Sequence, residues 1–251
     1  MNNTRVRVAI TRAVSPRIAE CELSFIERKP IDFARAAAQH DVYERILAAN
    51  GCEIVHVPAE PDMPDSVFVE DTAVILDDVA IITRPGAQSR RGEIESVANV
   101  LQRYRPLFRV TEPATVDGGD VLVIGQRLYI GRSQRTNLEA IEQLNAIPID
   151  FQGCLHLKSA VTQIGDETLL LNPRWVDARQ FSDLNYVAVD PAEPFGANAL
   201  RLADALIFSA SHPRTRKLLE SRGYRVEVVD VSELEKAEAG VTCCSVIVTA
   251  S

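Results

Sequence analysis

Short apolar runs separated by polar turns recur along this chain, and they predict a repeated pair of β-strands. In the clearest unit, the runs 72–76 and 79–82, which are apolar apart from Thr72, flank the turn Asp77–Asp78. Similar pairs of runs follow Asp120 and His156. Short continuous apolar runs bounded by turn residues are typical of buried strands. The pattern therefore predicts a unit of two strands and a turn, followed in most copies by a helix.

Cap residues predict where several helices begin and end. A helix is expected over residues 32–51, with Asp32 as its N-cap and a glycine after its last turn. A second helix is expected to start near Ser89. A third is expected to begin at Thr136, because Glu139 three positions later completes a capping box.

Each unit begins with a polar residue, and these residues recur at intervals of roughly 40 positions. They are Asp71, Asp120, His156, Asn198 and Cys243. The fifth unit is divided between the chain ends: one strand begins at Cys243, and residues 5–11 supply the strand that pairs with it. No unit buries its own strands alone, whereas five units around an axis bury them all and bring their polar starts to one end.

The pattern thus predicts an α/β fold, a five-bladed α/β-propeller with pseudo-five-fold ββαβ repeats. We expect a single domain over residues 1–251, with the first and last strands closing the ring. An ordinary mixed α/β sheet with hairpins remains the alternative, because the third unit has the weakest helix pattern.

Composition narrows the class of protein. The 251 residues carry a net charge of −8 without a basic segment, which argues against a nucleic-acid partner. No stretch approaches the roughly 20 apolar residues of a membrane span, so no membrane association is expected. The five cysteines are odd in number and two are adjacent, which makes a poor disulfide framework. A reduced, cytoplasmic protein is predicted.

Two adjacent thiols precede the last apolar run, in the segment 242–245. Successive side chains of a strand point to opposite faces, so we expect only one of Cys243 and Cys244 to face any one site. A thiol there suits a nucleophile if a base lies nearby, whereas the alternative is a pair of buried cysteines. His156 begins a unit and is the preferred base, while His40 is expected on a helix surface.

Carboxylates cluster in two segments that the repeat brings towards the same end. Asp117 and Asp120 flank a Gly-Gly pair that permits close approach of the backbone. Asp65, Glu70 and Asp71 lie among apolar residues and therefore need cationic or hydrogen-bonding partners. A bound guanidinium would satisfy them. Metal binding is the rival use, but no His or Cys spacing indicates a zinc site.

Two arginines lie at predicted helix starts. Arg90 follows Ser89, and Arg135 precedes Thr136. Each forms either an exposed salt bridge or a bidentate contact with the carboxylate of a substrate, which the planar guanidinium fits well.

Taken together, these segments resemble the dimethylarginine dimethylaminohydrolase family, one of the guanidine-modifying enzyme families that also include arginine deiminases and amidinotransferases. The resemblance runs in order from about residue 32 to residue 248. The matching segments are 64–71, 82–91, 114–122, 135–137, 155–159 and 234–246. The wider family shares a five-bladed propeller, the pentein fold, which agrees with the repeat.

The resemblance implies a role for each candidate residue. Cys243 would be the nucleophile, His156 the general acid and base, and Asp117 the residue that orients it. The substrate-binding residues would be Glu70 and Asp71 for the guanidinium, Arg90 and Arg135 for the carboxylate, Asp65 and Ser159 for the amino-acid end, and Leu23 in a lid over residues 20–30. The lid sequence departs from the known forms of the family.

The implied reaction is hydrolysis of Nω-methylated arginines to L-citrulline and an amine through a covalent thiouronium on the cysteine. It requires no metal or organic cofactor, and its partner is the small-molecule substrate. Two alternatives stay open: a deiminase-like guanidine hydrolase that releases ammonia, and a non-catalytic propeller that binds another protein. A monomer or a homodimer is expected.

Overall fold

The computed structural model describes residues 6–250, and these residues contain fifteen short strands. In chain order they are β1 (Arg7–Thr11), β2 (Cys52–His56), β3 (Ala73–Ile75), β4 (Ala80–Ile82), β5 (Leu107–Arg109), β6 (Val121–Ile124), β7 (Arg127–Gly131), β8 (Ile147–Ile149), β9 (Val161–Gly165), β10 (Thr168–Leu171), β11 (Asn185–Ala188), β12 (Ala199–Leu202), β13 (Ala205–Ser209), β14 (Arg225–Val229) and β15 (Val246–Thr249).

Helices lie between the strands. The α-helices are α1 (Phe33–Ala49), α2 (Ile94–Leu101), α3 (Leu138–Gln143), α4 (Leu157–Ala160), α5 (Pro213–Ser221) and α6 (Ser232–Glu235). The 3-10 helices are Ile18–Glu20, Val69–Thr72, Gln88–Glu93, Gly118–Asp120 and Ala178–Gln180. Among residues 6–250, no helix combines the length and the apolar character that a membrane crossing requires.

The strands form five three-stranded sheets of one repeated design. In each sheet, the first strand pairs antiparallel with the middle strand, and the middle strand pairs parallel with the third. The sheet orders are β15-β1-β2, β3-β4-β5, β6-β7-β8, β9-β10-β11 and β12-β13-β14. This is the predicted pseudo-five-fold repeat of an α/β-propeller, and it replaces the alternative of one mixed sheet.

The first strands of the five sheets surround a central channel. Residues of β3, β6, β9, β12 and β15 line one cavity of about 310 Å³. The ring is closed by the two ends of the chain, where β1 pairs with β15 in the register Val8 opposite Val248. The predicted strand over residues 5–11 is confirmed from Arg7 onwards, whereas Arg5 lies outside the described residues.

Helix α1 follows its predicted caps and fixes the loop before β15. Asp32 accepts a hydrogen bond from the amide of Arg35, and Gly51 has a positive φ of 88° after the helix ends. The buried Tyr43 hydroxyl donates to the carbonyl of Val241 at 2.8 Å and lies 2.7 Å from Ser245 Oγ. The helix therefore holds both ends of the loop that carries the adjacent cysteines.

Two helix starts differ from the prediction. Helix α3 is capped by Asn137, whose side chain accepts from the amide of Ala140. Thr136 is not the cap, because its hydroxyl donates to the buried carboxylate of Asp120 at 2.7 Å. The helix expected near Ser89 begins as the 3-10 turn Gln88–Glu93 and becomes α-helical at Ile94. His40, expected on a surface, is buried in α1.

Candidate active site

Four of the predicted residues converge at one end of the channel. Asp71, Asp117, His156 and Cys243 each precede the first strand of a different sheet, and all line one small pocket. Its free volume is about 20 Å³, which leaves room for little more than one water molecule. Asp120 and Asn198 begin units as well, but their side chains bond within the framework.

The two adjacent cysteines have different environments. Cys243 is half-buried and lines the pocket, whereas Cys244 is 1% exposed and packs in the core. The predicted separation is confirmed, but a turn over residues 241–244 produces it rather than the alternation of a strand. The amide of Gly240 donates to Cys243 Sγ at 3.2 Å.

The surroundings of Cys243 favour the protonated thiol over the thiolate. Burial, together with the negative charges of Glu70 and Asp71, raises its pKa well above the ordinary value for cysteine. The amide of Gly240 acts in the opposite direction but is weaker. A positive charge brought beside the sulfur would therefore be needed to form the thiolate at neutral pH.

His156 is held between two carboxylates. Its Nε2 lies 3.1 Å from Asp117 Oδ2, and its Nδ1 lies 3.7 Å from Asp71 Oδ1. Burial alone would lower the pKa of the imidazole, but Asp71, Asp117 and Asp120 raise it to about 10. The ring is an imidazolium at neutral pH and is ready to act as a general acid.

Asp117 and the Gly-Gly pair provide the space for that histidine. Asp117 also accepts a hydrogen bond from the amide of Gly86 at 2.9 Å, which fixes the carboxylate. A Cβ on Gly119 would lie 2.6 Å from His156 Nδ1, and one on Gly118 would lie 2.0 Å from the carbonyl oxygen of Glu70. Both glycines are therefore required by close packing rather than by a positive φ.

Asp71 is anchored by a buried arginine. Arg90 Nη1 donates to Asp71 Oδ2, and the amide of Gly119 donates to Asp71 Oδ1 at 2.9 Å. Burial would raise the pKa of Asp71, but the charges of His156 and Arg90 outweigh it and lower that pKa. The carboxylate is thus an anion of fixed orientation at the pocket wall.

Arg90 has protein partners for all three of its nitrogens. Nε and Nη2 donate to Glu93, and Nη2 also donates to the carbonyl oxygens of Asp65 and Phe68. In this structure Arg90 positions Asp71, and its predicted contact with a substrate carboxylate stays a prediction. Sequence reasoning missed Glu93, although its spacing of three from Arg90 on a helix is the signal of such a pair.

Glu70 points to the channel side of the pocket. Its carboxylate accepts from Lys158 Nζ at 2.7 Å and from the Thr242 hydroxyl at 2.7 Å. Ser159, predicted at the amino-acid end of the substrate, instead lines a neighbouring cavity of about 620 Å³. The roles that the sequence predicts for Glu70 and Ser159 remain predictions.

The lid closes the pocket at the end where Arg135 lies. Arg135 Nη2 lies 3.0 Å from the carboxylate of Glu22, and Asp65 Oδ2 accepts from the amide of Glu22 at 3.2 Å. Leu23 is the next residue of the lid and packs against the core. Burial raises the pKa of Asp65. Sequence reasoning missed Glu22, and only its place beside Leu23 offered a signal.

A second lid contact was also missed. The carboxylate of Glu238 accepts hydrogen bonds from the consecutive amides of Ser24, Phe25 and Ile26. Glu238 has a positive φ of 60° and lies in the loop that leads to Cys243. The lid and the nucleophile loop are therefore joined by three hydrogen bonds.

Asp71, Asp117 and His156 also offer three ligand atoms that lie within 4.8 Å of one another. The same three groups belong to the set of charges in which burial is outweighed by the carboxylates and the pKa of His156 is raised to about 10.

This chain is similar to known proteins over most of its length. The profile of the family described as "N,N dimethylarginine dimethylhydrolase, eukaryotic" matches residues 18–160. A curated N(G),N(G)-dimethylarginine dimethylaminohydrolase from Streptomyces coelicolor is 40% identical over 249 residues, which cover 95% of each chain.

Two solved structures share the fold closely. One is a cysteine-to-serine mutant of the Pseudomonas aeruginosa dimethylarginine dimethylaminohydrolase complexed with citrulline. It matches with a TM-score of 0.92 at 33% identity and covers 97% of this chain and 100% of the other. The second is an adduct of a histidine-to-glycine dimethylarginine dimethylaminohydrolase with S-methyl-L-thiocitrulline. It matches with a TM-score of 0.90 at 34% identity and covers 96% and 98% of the two chains.

Proposed function

The chain belongs to the dimethylarginine dimethylaminohydrolase family, and we propose that it hydrolyses Nω-methylated L-arginines to L-citrulline and methylamine or dimethylamine. The observation that carries the proposal is the pocket in which a cysteine, a carboxylate-bound imidazolium and a fixed aspartate meet. Each group has a distinct part in cleaving a guanidinium.

The substrate guanidinium binds against Asp71. The guanidinium is a cation at neutral pH, and an ionised carboxylate accepts its N–H groups in charge-assisted hydrogen bonds. Since Arg90 and the amide of Gly119 fix Asp71, the reacting carbon is held in one orientation towards Cys243. Glu70 is proposed as the second guanidinium-binding residue.

Binding of this cation also activates the thiol. The negative charges that hold the pKa of Cys243 high are partly neutralised when a guanidinium lies beside them. The thiolate then forms in the complex rather than in the free protein. This order protects a reactive sulfur from side reactions until a cationic substrate is present.

The reaction proceeds in two halves. The thiolate adds to the guanidinium carbon, and His156 donates its proton to the methyl-bearing nitrogen, whose C–N bond breaks to release the amine. A thiouronium remains on Cys243. The neutral imidazole then takes a proton from water, the water oxygen bonds to the same carbon, and the sulfur leaves with citrulline as product. No cofactor takes part in this scheme.

The amino-acid end of the substrate is assigned to the lid side of the pocket. Arg135 is proposed to bind the α-carboxylate and Asp65 the α-ammonium. In support, Arg135 already pairs with the carboxylate of Glu22, and Asp65 already accepts a hydrogen bond from the amide of Glu22. Arg90, Leu23 and Ser159 complete the proposed set.

The proposal extends to the setting of the protein. We place it in the cytoplasm as a monomer or a homodimer, with a small-molecule substrate and neither nucleic acid nor a membrane as partner. Five free cysteines support a reducing compartment, and a net charge of −8 argues against a nucleic-acid partner. Residues 1–251 act as a single catalytic domain, since four sheets contribute to one site.

The decisive experiment assays both leaving groups. The protein is incubated with Nω,Nω-dimethyl-L-arginine, Nω-methyl-L-arginine and L-arginine, while citrulline, alkylamine and ammonia are measured separately. We expect citrulline and alkylamine in equal amounts. Ammonia from L-arginine as the main product would support a deiminase instead. No turnover of any guanidine would favour a binding module.

Asp71→Asn should lower kcat/KM for dimethylarginine by roughly 10- to 150-fold. The loss of one charge-assisted hydrogen bond in a desolvated site costs about 1.5 to 3 kcal/mol. Glu93→Gln is the matched control, because Glu93 also pairs with Arg90 but does not line the pocket. An equal loss in both variants would show that Asp71 acts only through the buried ion-pair network.

Alkylation of Cys243 should depend on the charge of the reagent. At pH 7 the neutral 2-chloroacetamide should react more slowly with Cys243 than with free cysteine, and its rate should rise with pH, because the pKa of this thiol is raised. The cationic 2-chloroacetamidine should react much faster with Cys243, and Asp71→Asn should remove that preference. Intact-protein mass gives the rates. Fast reaction of the neutral reagent at pH 7 would mean that the thiolate exists before the substrate binds.

A further inference from the structure

One lid carboxylate reaches into the catalytic pocket. Glu22 lines the pocket together with Asp71 and Cys243, although its side chain is still 41% exposed at the outer edge. Its carboxylate pairs with Arg135 Nη2 at 3.0 Å and accepts a hydrogen bond from the hydroxyl of Ser89. An acidic side chain thus already pairs with Arg135, one of the cationic groups of the pocket.

Glu22 also contacts the nearby carboxylate of Asp65. The backbone amide of Glu22 donates to Asp65 Oδ2 at 3.2 Å. Glu22 therefore presents an N–H to Asp65 and a carboxylate to Arg135, as the ammonium and carboxylate of an α-amino acid would. One residue of this chain thus contacts both groups proposed to bind the amino-acid end of the substrate, Arg135 and Asp65.

The free volume of about 20 Å³ in the pocket that Glu22 lines is too small for a guanidino amino acid, and Glu22 holds the two groups proposed to bind its amino-acid end. From this overlap we infer that Glu22 is an internal competitor for Arg135, which the α-carboxylate of the incoming ligand must displace. This inference rests on the proposed function, since it assumes that the ligand is an α-amino acid. Glu22 then lowers the affinity for ligands that place a carboxylate on Arg135.

The inferred displacement concerns the side chain of Glu22 at Arg135. This side chain is 41% exposed and can turn towards solvent when it leaves Arg135 and Ser89, while the three amides that donate to Glu238 keep the lid joined to the nucleophile loop. One ion pair is exchanged for another, so the competition is modest. Partly exposed ion pairs are worth about 0.2 to 1 kcal/mol, which corresponds to at most about a fivefold change in affinity.

The test measures binding of two probes by titration calorimetry. L-Citrulline carries the α-carboxylate, whereas (4-aminobutyl)urea has the same ureido and ammonium groups without it. Glu22→Gln should tighten citrulline binding about two- to fivefold and leave the affinity for (4-aminobutyl)urea within measurement error. Glu27→Gln is the matched control, because it removes an exposed lid carboxylate that lines the neighbouring cavity.

The outcomes separate the possible explanations. Equal tightening of both probes by Glu22→Gln, or equal tightening of citrulline by Glu27→Gln, would overturn the exchange at Arg135 in favour of steric or general charge effects. Unchanged citrulline affinity would overturn it as well. Because binding of these probes requires no turnover, a wild-type protein that fails to hydrolyse methylarginines would contradict the proposed function without deciding this test.

Discussion

Cys243→Ser should reduce turnover of dimethylarginine by about a thousandfold or more, since a hydroxyl is a far weaker nucleophile than a thiolate at neutral pH. The fold should survive, because the side chain is half-buried in a turn and loses no packed methyl group. Initial rates of citrulline formation, with circular dichroism as the folding control, give the result.

Cys244 provides the matched comparison at the next position. Cys244→Ala should keep most of the activity, because this side chain lies in the core and does not line the pocket. Alanine is preferable to serine here, since a buried hydroxyl without a partner costs about 1 to 3 kcal/mol of stability. If Cys244→Ala is inactive while Cys243→Ser turns over substrate, the assignment of the nucleophile is wrong.

His156→Ala should stop hydrolysis of dimethylarginine at both halves of the reaction. The variant lacks the acid that protonates the amine and the base that activates water, and such groups contribute about 10²- to 10⁴-fold each. With S-methyl-L-thiocitrulline, whose methanethiolate leaves without that proton, the first half should be partly restored. A covalent adduct on Cys243 should then accumulate and be visible in the intact-protein mass.

His56→Ala is the control for this experiment, because His56 is the exposed last residue of β2, pairs with Glu44 and does not line the pocket. It should behave as wild type and accumulate no adduct. Turnover of dimethylarginine by His156→Ala at the wild-type rate would remove His156 from the mechanism. Rapid release of citrulline by that variant from the thiocitrulline would remove it from the second half alone.

The repeat and its elements follow from the sequence because they depend on neighbours in the chain. Apolar runs between turn residues mark strands wherever they occur, and Asp32 and Gly51 mark the ends of α1 through contacts within a few residues. The recurrence of a polar residue at each unit start identifies three residues that meet, Asp71, His156 and Cys243. The other two starts, Asp120 and Asn198, bond within the framework instead.

Local patterns fail where a residue has a stronger partner elsewhere. Thr136 is expected to cap a helix, but its hydroxyl donates a hydrogen bond to the buried carboxylate of Asp120, and Asn137 caps the helix instead. His40 is expected on the surface, but α1 packs against β2, α6 and β14, and His40 is buried. A buried acceptor needs a donor more than a helix end near solvent does.

The sequence by itself therefore determined the propeller, its closure by the chain ends, and the candidates for nucleophile, acid and guanidinium-binding carboxylate. Only the tertiary structure decided the partners of the charged groups. Arg90 donates a hydrogen bond to Asp71, and Glu22 forms an ion pair with Arg135. The reason is physical. Strand and helix signals act over a few residues, whereas a desolvated charge pairs with whichever opposite charge the fold brings within reach, at any separation along the chain.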